Sequence, residues 1–74
     1  MTARPSPESV LAEALNIPQD SVLSDSSIEH TEAWDSLAHF RLIAAIEAAI
    51  DRQLSPEEIF AAADYEGVKR LLET

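Results

Sequence analysis

Cysteine is absent from this 74-residue sequence, and glycine occurs only once. Without cysteine the chain forms neither a disulfide framework nor a thiolate metal site, so its core must rest on side-chain packing. A domain of this length buries only about 60% of the surface that its unfolded chain exposes, which leaves little room for an enclosed active site. The missing cysteines are compatible with a reducing compartment.

Long apolar runs and an excess of basic residues are absent as well. No run approaches the roughly 18 apolar residues of a membrane span, and residues 1–7 lack the apolar region of a signal peptide, so we expect a soluble, cytoplasmic protein. Fourteen acidic against five basic residues give a formal net charge of −9, which opposes binding to nucleic acid. This acidity either keeps a small domain soluble or attracts basic partner surfaces.

The apolar residues recur at helical spacing, and the Asn-Gly and Asp-Gly turns of β-hairpins do not occur. A first helix is predicted over Pro7–Leu15, with Ser6 as its N-cap. Pro18 ends it, because proline and the residue before it leave helical geometry. The segment 18–35 is then a long connection, which we expect to pack back onto the helices through the apolar anchors Val22, Leu23 and Ile28.

The strongest helical signal begins at Asp35 or Ser36. No proline or glycine occurs from Leu37 to Leu54, so this is predicted to be the longest helix and the spine of the core. Its predicted inner stripe contains Leu37, Phe40, Ile43, Ala44, Ile46, Glu47 and Ile50. The predicted outward positions are Ala38, His39, Arg41, Ala45, Ala48 and Ala49.

Two shorter helices complete the chain. Ser55 and Glu58 have the spacing of a capping box, which predicts a short third helix through Ile59, Phe60 and Ala62. Asp64 is the N-cap candidate of a last helix, in which Gly67 is a mild internal weakness. The sequence therefore predicts one all-α domain over residues 1–74, a small four-helix bundle of three longer helices and one short helix, with a long loop between helices 1 and 2.

Ser36 stands where this loop becomes the long helix. A helix N-terminus has unpaired N–H groups and a positive dipole end, so a serine hydroxyl there is suited to carry an anionic group such as a phosphodiester. Asp35 or Ser36 is the predicted N-cap of this helix. We interpret Ser36 as an attachment point.

Catalysis and metal binding are weaker interpretations. His39 lies three residues after Ser36, which allows a serine hydrolase, but the Gly-x-Ser-x-Gly elbow is missing and a surface histidine explains the same residue. His30 and His39 lack the spacing of a zinc site, and the acidic residues of the loop lack the register of a calcium site. We predict neither a metal centre nor catalysis.

The triplet Asp35-Ser36-Leu37 occurs together with Leu-Ile-Ala-Ala-Ile-Glu at 42–47 and Leu-Ser-Pro-Glu-Glu-Ile at 54–59. In this combination, over nearly its whole length, the chain resembles the acyl carrier protein family. The resemblance implies that a phosphopantetheinyl transferase attaches 4′-phosphopantetheine from coenzyme A to Ser36. It also implies a monomer that carries an acyl or aminoacyl thioester from a loading ligase or transferase to downstream biosynthetic enzymes.

The resemblance further implies roles for the residues around Ser36. Asp35 would help to position the serine, and Leu37 would contact the arm, with ordinary core packing as the alternative for Leu37. The second helix is the family's main docking face, which assigns partner contacts to Trp34, His39, Phe40, Arg41, Ala44 and Glu47. Trp34 has a second interpretation, in which it pins the loop to the bundle.

Two departures from the family pattern indicate specialised partners. Arg41 would repel a basic patch opposite the second helix, on which Glu47 and Asp51 are the only acids. Trp34 is the second departure, since fatty-acid carriers more often have a small residue before the triplet. The glycine typical of peptidyl carriers is also missing, which favours a discrete acyl carrier of a dedicated pathway and leaves an aminoacyl cargo open. The main alternative is an unmodified interaction module with the same fold.

Overall fold

A computed structural model describes residues 5–73, so the expectations that concern residues 1–4 lie outside the described part. Four α-helices follow one another along the chain: α1 (Pro7–Leu15), α2 (Ser36–Ile50), α3 (Pro56–Ala61) and α4 (Tyr65–Leu72). Within residues 5–73 there is no strand, and the β-type pairing is one isolated bridge between Ser27 and Asp64. The predicted all-α bundle with a long loop between its first two helices is confirmed.

Local capping chemistry sets the helix boundaries. Ser6 accepts a hydrogen bond from the Ser9 N–H at the start of α1. Asn16 and Asp51 end α1 and α2 in the left-handed region, with φ of 57° and 58°, a conformation that asparagine and aspartate tolerate better than most residues. Asp64 caps α4 by accepting a hydrogen bond from the Gly67 N–H. Each cap satisfies backbone groups that a helix end leaves unpaired.

The core lies between α1, α2 and α4. Leu11, Leu42, Ile46 and Val68 are its largest fully buried side chains. Burial of one such side chain contributes about 1.5–3 kcal/mol relative to an exposed one. Because the chain has no disulfide, this packing is the main support of the bundle.

The buried face of α2 differs from the predicted stripe. Leu37 and Phe40 are 57% and 71% exposed, and Ala44 is also exposed, whereas Ala38, predicted to face outward, is buried. Apolar residues surround nearly the whole helix, so periodicity alone did not determine which side packs inward. The buried residues of α2 are Ala38, Leu42, Ile43, Ile46 and Ile50.

The loop between α1 and α2 packs back onto the bundle, as expected for two of its three anchors. Val22 is buried and Ile28 packs against the core, but Leu23 is 59% exposed. The loop also bonds to the start of α4, because the Ile28 N–H donates to the Ala63 carbonyl at 2.8 Å and the Tyr65 N–H donates to the Ser26 carbonyl at 2.9 Å. These bonds fix the loop that leads to Ser36.

Candidate functional site

Ser36 is the first residue of α2, and its side chain is exposed. Asp35 precedes it in extended geometry and accepts a hydrogen bond from the Ala38 N–H at 2.8 Å, so the aspartate is the N-cap. Within residues 5–73 the Ser36 hydroxyl has no hydrogen-bond partner. The serine therefore presents a free hydroxyl to solvent at the positive end of a 15-residue helix.

Large apolar side chains are exposed on the helices around Ser36. Leu37 follows the serine directly, Phe40 lies one helical turn further along α2, and Phe60 of α3 is 84% exposed. We refer to Leu37, Phe40 and Phe60 as the apolar surface. The exposure of Leu37 contradicts the core-packing interpretation of this residue. Leu37 and Phe40 lie three residues apart on α2, and Phe60 follows Ile59, whose carbonyl oxygen lies 3.3 Å from His39 Nε2. Exposed large apolar side chains are typical of binding surfaces.

Phe60 is a candidate that the sequence did not indicate. The sequence predicted a short third helix through Ile59, Phe60 and Ala62; in the structure Ala62, the C-cap, is fully buried, Ile59 is half-buried and Phe60 is exposed. A helix of six residues cannot turn three apolar side chains inward when two of them are adjacent. That adjacency was the signal available in the sequence.

Trp34 is not part of the exposed surface. Its side chain is 2% exposed, and its Nε1–H donates a hydrogen bond to His39 Nδ1 at 3.1 Å. The prediction of a partner contact through Trp34 is therefore wrong, because a buried indole offers a partner no contact area. The alternative, in which Trp34 pins the loop to the helix bundle, agrees with this burial.

His39 is half-buried, and both of its ring nitrogens are engaged. Nδ1 accepts from Trp34, and Nε2 lies 3.3 Å from the Ile59 carbonyl oxygen, to which it donates in the tautomer that the Trp34 bond requires. No hydrogen bond joins His39 to Ser36 in the described part of the chain. A hydrolase that uses His39 as the base for Ser36 receives no support from this geometry.

Glu47 also has a structural partner. Its carboxylate accepts a hydrogen bond from the Leu54 N–H at 2.9 Å, and the residue is half-buried. This carboxylate therefore braces the turn between α2 and α3, and the partner contact of Glu47 stays a prediction. Arg41 and Ala44 are exposed, as a docking role requires. Arg41 thus places a cation on the exposed side of α2, whereas the Glu47 carboxylate is half-buried.

Three further features limit what the site contains. Within residues 5–73 no cluster of histidine, aspartate or glutamate is arranged to hold a metal ion, and no helix there has the length and apolar character needed to cross a bilayer.

An open surface cavity of about 460 Å³ lies in the loop between α1 and α2. Its lining residues are Ser21, Leu23, Asp25, Ser26, His30, Thr31 and Glu32, so Ser36 lies outside it.

No protein-family model and no curated protein matches this chain. The function is therefore inferred from the geometry of the Ser36 turn together with the chemistry of its residues.

Proposed function

We propose that the chain is a carrier protein that holds an acyl or aminoacyl group as a thioester on a 4′-phosphopantetheine arm attached to Ser36. A phosphopantetheinyl transferase would use coenzyme A to modify the serine. A loading ligase or transferase and downstream biosynthetic enzymes would then act on the tethered group. Tethering raises the effective concentration of the group at each docked active site.

The observation that carries the proposal is the exposed, unpaired hydroxyl of Ser36 at the first position of α2. An attachment residue must be reachable by another enzyme, and its hydroxyl must not be held by the fold. Asp35 uses its carboxylate to cap the helix, which orders the turn on which the hydroxyl is presented. The serine acts as an acceptor in this proposal and performs no catalysis.

The residues around Ser36 fit the phosphodiester of such an arm. The N–H groups of Ser36 and Leu37 belong to the first helical turn and have no intrahelical acceptor, so they can face an anion. When bound, the arm supplies the thiol that forms the thioester. The exposed side chain of Leu37 gives an apolar contact at the base of the arm.

The charge of the surface beside Ser36 suits a partner whose docking surface is less basic. Arg41 is exposed on the same helix as Phe40, whereas the Glu47 carboxylate is bound to the Leu54 N–H. Complementary charge sets the rate of association, so a cationic side chain in the middle of this face selects against basic patches. The position of Arg41 therefore supports a role in a specialised pathway.

A second candidate is an interaction module with the same fold that is never modified. The apolar surface favours it equally, because exposed Phe40 and Phe60 can bind a partner without any arm. The two candidates differ in the fate of the Ser36 hydroxyl.

The deciding experiment is incubation with coenzyme A, magnesium and a transferase of broad specificity, followed by intact-mass spectrometry. The proposal expects one phosphopantetheinyl group on the wild type and none on Ser36→Ala. Ser24→Ala is the matched control, because Ser24 is an exposed serine of the loop and its variant should still be modified. Unmodified wild type with several transferases would leave the interaction module as the better candidate.

A further inference from the structure

The buried indole of Trp34 determines the tautomer of His39. Trp34 is 2% exposed, and a buried indole N–H needs an acceptor to offset its lost hydration. The acceptor is His39 Nδ1 at 3.1 Å. A neutral imidazole with an unprotonated Nδ1 carries its proton on Nε2. The imidazole ring of His39 thereby joins α2 to the loop that contains Trp34, and its Nε2 must be a hydrogen-bond donor.

That second nitrogen bonds to α3. His39 Nε2 lies 3.3 Å from the carbonyl oxygen of Ile59, in the last turn of α3. So short a helix supplies no N–H donor to this carbonyl oxygen. A six-residue helix is not stable alone, so its position depends on such outside contacts. Phe60, the most exposed member of the apolar surface, directly follows Ile59.

We propose that His39 is a positioning residue for the modification of Ser36. It acts through a relay of two hydrogen bonds, from Trp34 to His39 and from His39 to Ile59. The first bond holds the loop that ends at the serine, and the second holds α3 so that Phe60 lies on the same surface as Phe40 and Leu37. The effect on Ser36 rests on the proposed carrier function, whereas the relay can be measured without it.

Two conservative variants separate the halves of the relay. His39→Gln places an amide at the level of Nε2 and can still donate to Ile59, but it offers no acceptor at the level of Nδ1. His39→Asn places its amide at the level of Nδ1 and can accept from Trp34, but it does not reach Ile59. His39→Ala removes both bonds. Since the other histidine, His30, is exposed in the loop, His30→Gln is the matched control.

Amide hydrogen exchange by NMR reads the two halves separately. Ile59 and Ala62 report on α3 through their helical bonds, the Trp34 indole N–H reports on the loop, and Ile46 in the core reports on global stability. We expect exchange in α3 to accelerate about fivefold in His39→Asn and His39→Ala but not in His39→Gln, the effect of one net hydrogen bond. We expect the indole N–H to accelerate in His39→Gln and His39→Ala but not in His39→Asn.

A spectroscopic signature accompanies these exchange rates. Ring ¹⁵N shifts of the wild type should identify His39 as the tautomer protonated at Nε2. A proton on Nδ1, equal behaviour of the Gln and Asn variants, or the same changes in His30→Gln would each overturn the relay.

Phosphopantetheine transfer to Ser36 tests the consequence. The kcat/KM of the transferase should be lower by about fivefold with His39→Gln, which loosens the loop before Ser36, and with His39→Asn, which loosens α3, and lowest with His39→Ala. Wild-type kcat/KM with His39→Asn would overturn the positioning role even if the relay exists. If the wild type itself is not modified, the carrier proposal fails, and the relay is decided by the exchange rates alone.

Discussion

The phenol of Tyr65 donates a hydrogen bond of 2.9 Å to the carboxylate of Glu8, which joins the first turn of α4 to the first turn of α1 across 57 residues of sequence. The Tyr65 N–H also donates to the Ser26 carbonyl, so Tyr65 of α4 bonds to both α1 and the loop. The hydrogen bond to the Glu8 carboxylate, together with desolvation, raises the pKa of Tyr65, because ionisation would remove the donated proton and face the two anions toward each other.

Tyr65→Phe should lower stability slightly at neutral pH and have a smaller effect in alkaline solution. A raised pKa in the folded state means that the stabilisation is complete below the ordinary value of 10.0 and is lost as pH rises through the folded pKa. Urea unfolding of both proteins at neutral and alkaline pH measures this difference. Because the chain has one tyrosine, tyrosinate absorbance reports the pKa directly, and Glu8→Gln should lower it. An unchanged titration in Glu8→Gln would contradict the assignment.

Glu58 should make the stability of the bundle depend on pH in the acidic range. Its carboxylate accepts two hydrogen bonds from Arg52, at 3.0 and 2.8 Å, and one from the Ser55 N–H. The bonds from Arg52, then that from Ser55, lower the pKa of Glu58 from 4.5 to about 2. The stabilisation is therefore present above pH 4.5 and is lost as pH falls toward about 2.

Glu58→Gln keeps a capping side chain but removes the charge that pairs with Arg52. We expect it to be less stable than the wild type at neutral pH and equally stable near pH 2. Added salt should reduce the difference at neutral pH, because the Arg52 side chain is 41% exposed. Glu57→Gln, at an exposed neighbouring position, is the control. A difference of the same size at both pH values would exclude this pair as its source.

Gly67→Ala should destabilise the protein by about 1–3 kcal/mol, the usual cost of forcing extra volume into a packed contact. A Cβ on Gly67 would overlap the backbone carbonyl of Ala61, so α3 and α4 would have to separate. Intrinsic propensity predicts the opposite sign, since alanine is the better helix former by about 1 kcal/mol. Chemical denaturation decides between them, with Lys69→Ala, an exposed position of α4, expected to change stability by less than about 0.5 kcal/mol.

Gly67 also shows which structural features a single sequence predicts. Helix ends follow from local chemistry, so Ser6, Ser55 and Asp64 were correctly predicted as caps. The interpretation of Gly67 as a mild weakness did not include the close approach of the Ala61 carbonyl from another helix. A contact between helices has no signal in the residues next to the glycine.

The candidate site divides in the same way. The position of Ser36 at the start of α2 is a local feature that the sequence predicted, and of the two predicted cap candidates, Asp35 and Ser36, the structure has Asp35 as the N-cap. The bond from His39 to Ile59 joins residues 20 positions apart and was not predicted. Neither was the exposure of Phe40, because α2 is apolar on nearly all sides and only its packing against α1 and α4 selects the buried face.

Phe40→Ser and Phe60→Ser should impair partner binding with little effect on folding. Both side chains are more than 70% exposed, so their replacement should change stability by less than about 0.5 kcal/mol. If the apolar surface is the docking face, each variant should weaken transfer from a loading enzyme or binding to an isolated partner. Leu42→Ala is the contrasting variant, since loss of this buried side chain should cost about 2–5 kcal/mol. Full transfer activity in both Phe40→Ser and Phe60→Ser would show that the apolar surface is not the docking face.

If the chain is the proposed carrier, Arg41→Glu should raise the rate of transfer with generic fatty-acid enzymes that present a basic patch. The substitution replaces a repulsive cation on the exposed side of α2 with an attractive anion, and changes at the rim of an interface act mainly on the association rate. The gain should be largest at low salt and shrink as the ionic strength reaches about 0.1 M, where the screening length is about 10 Å.

Lys69→Glu supplies the matched control for Arg41→Glu, because it makes the same change in net charge at an exposed position of α4. A local effect of Arg41 predicts a higher kcat/KM for Arg41→Glu alone, whereas a general effect of net charge predicts similar gains for both variants. Equal gains would show that overall acidity controls association with these enzymes. No gain with Arg41→Glu would mean that the cation on α2 does not exclude basic partners, and the case for a specialised partner set would lose its main support.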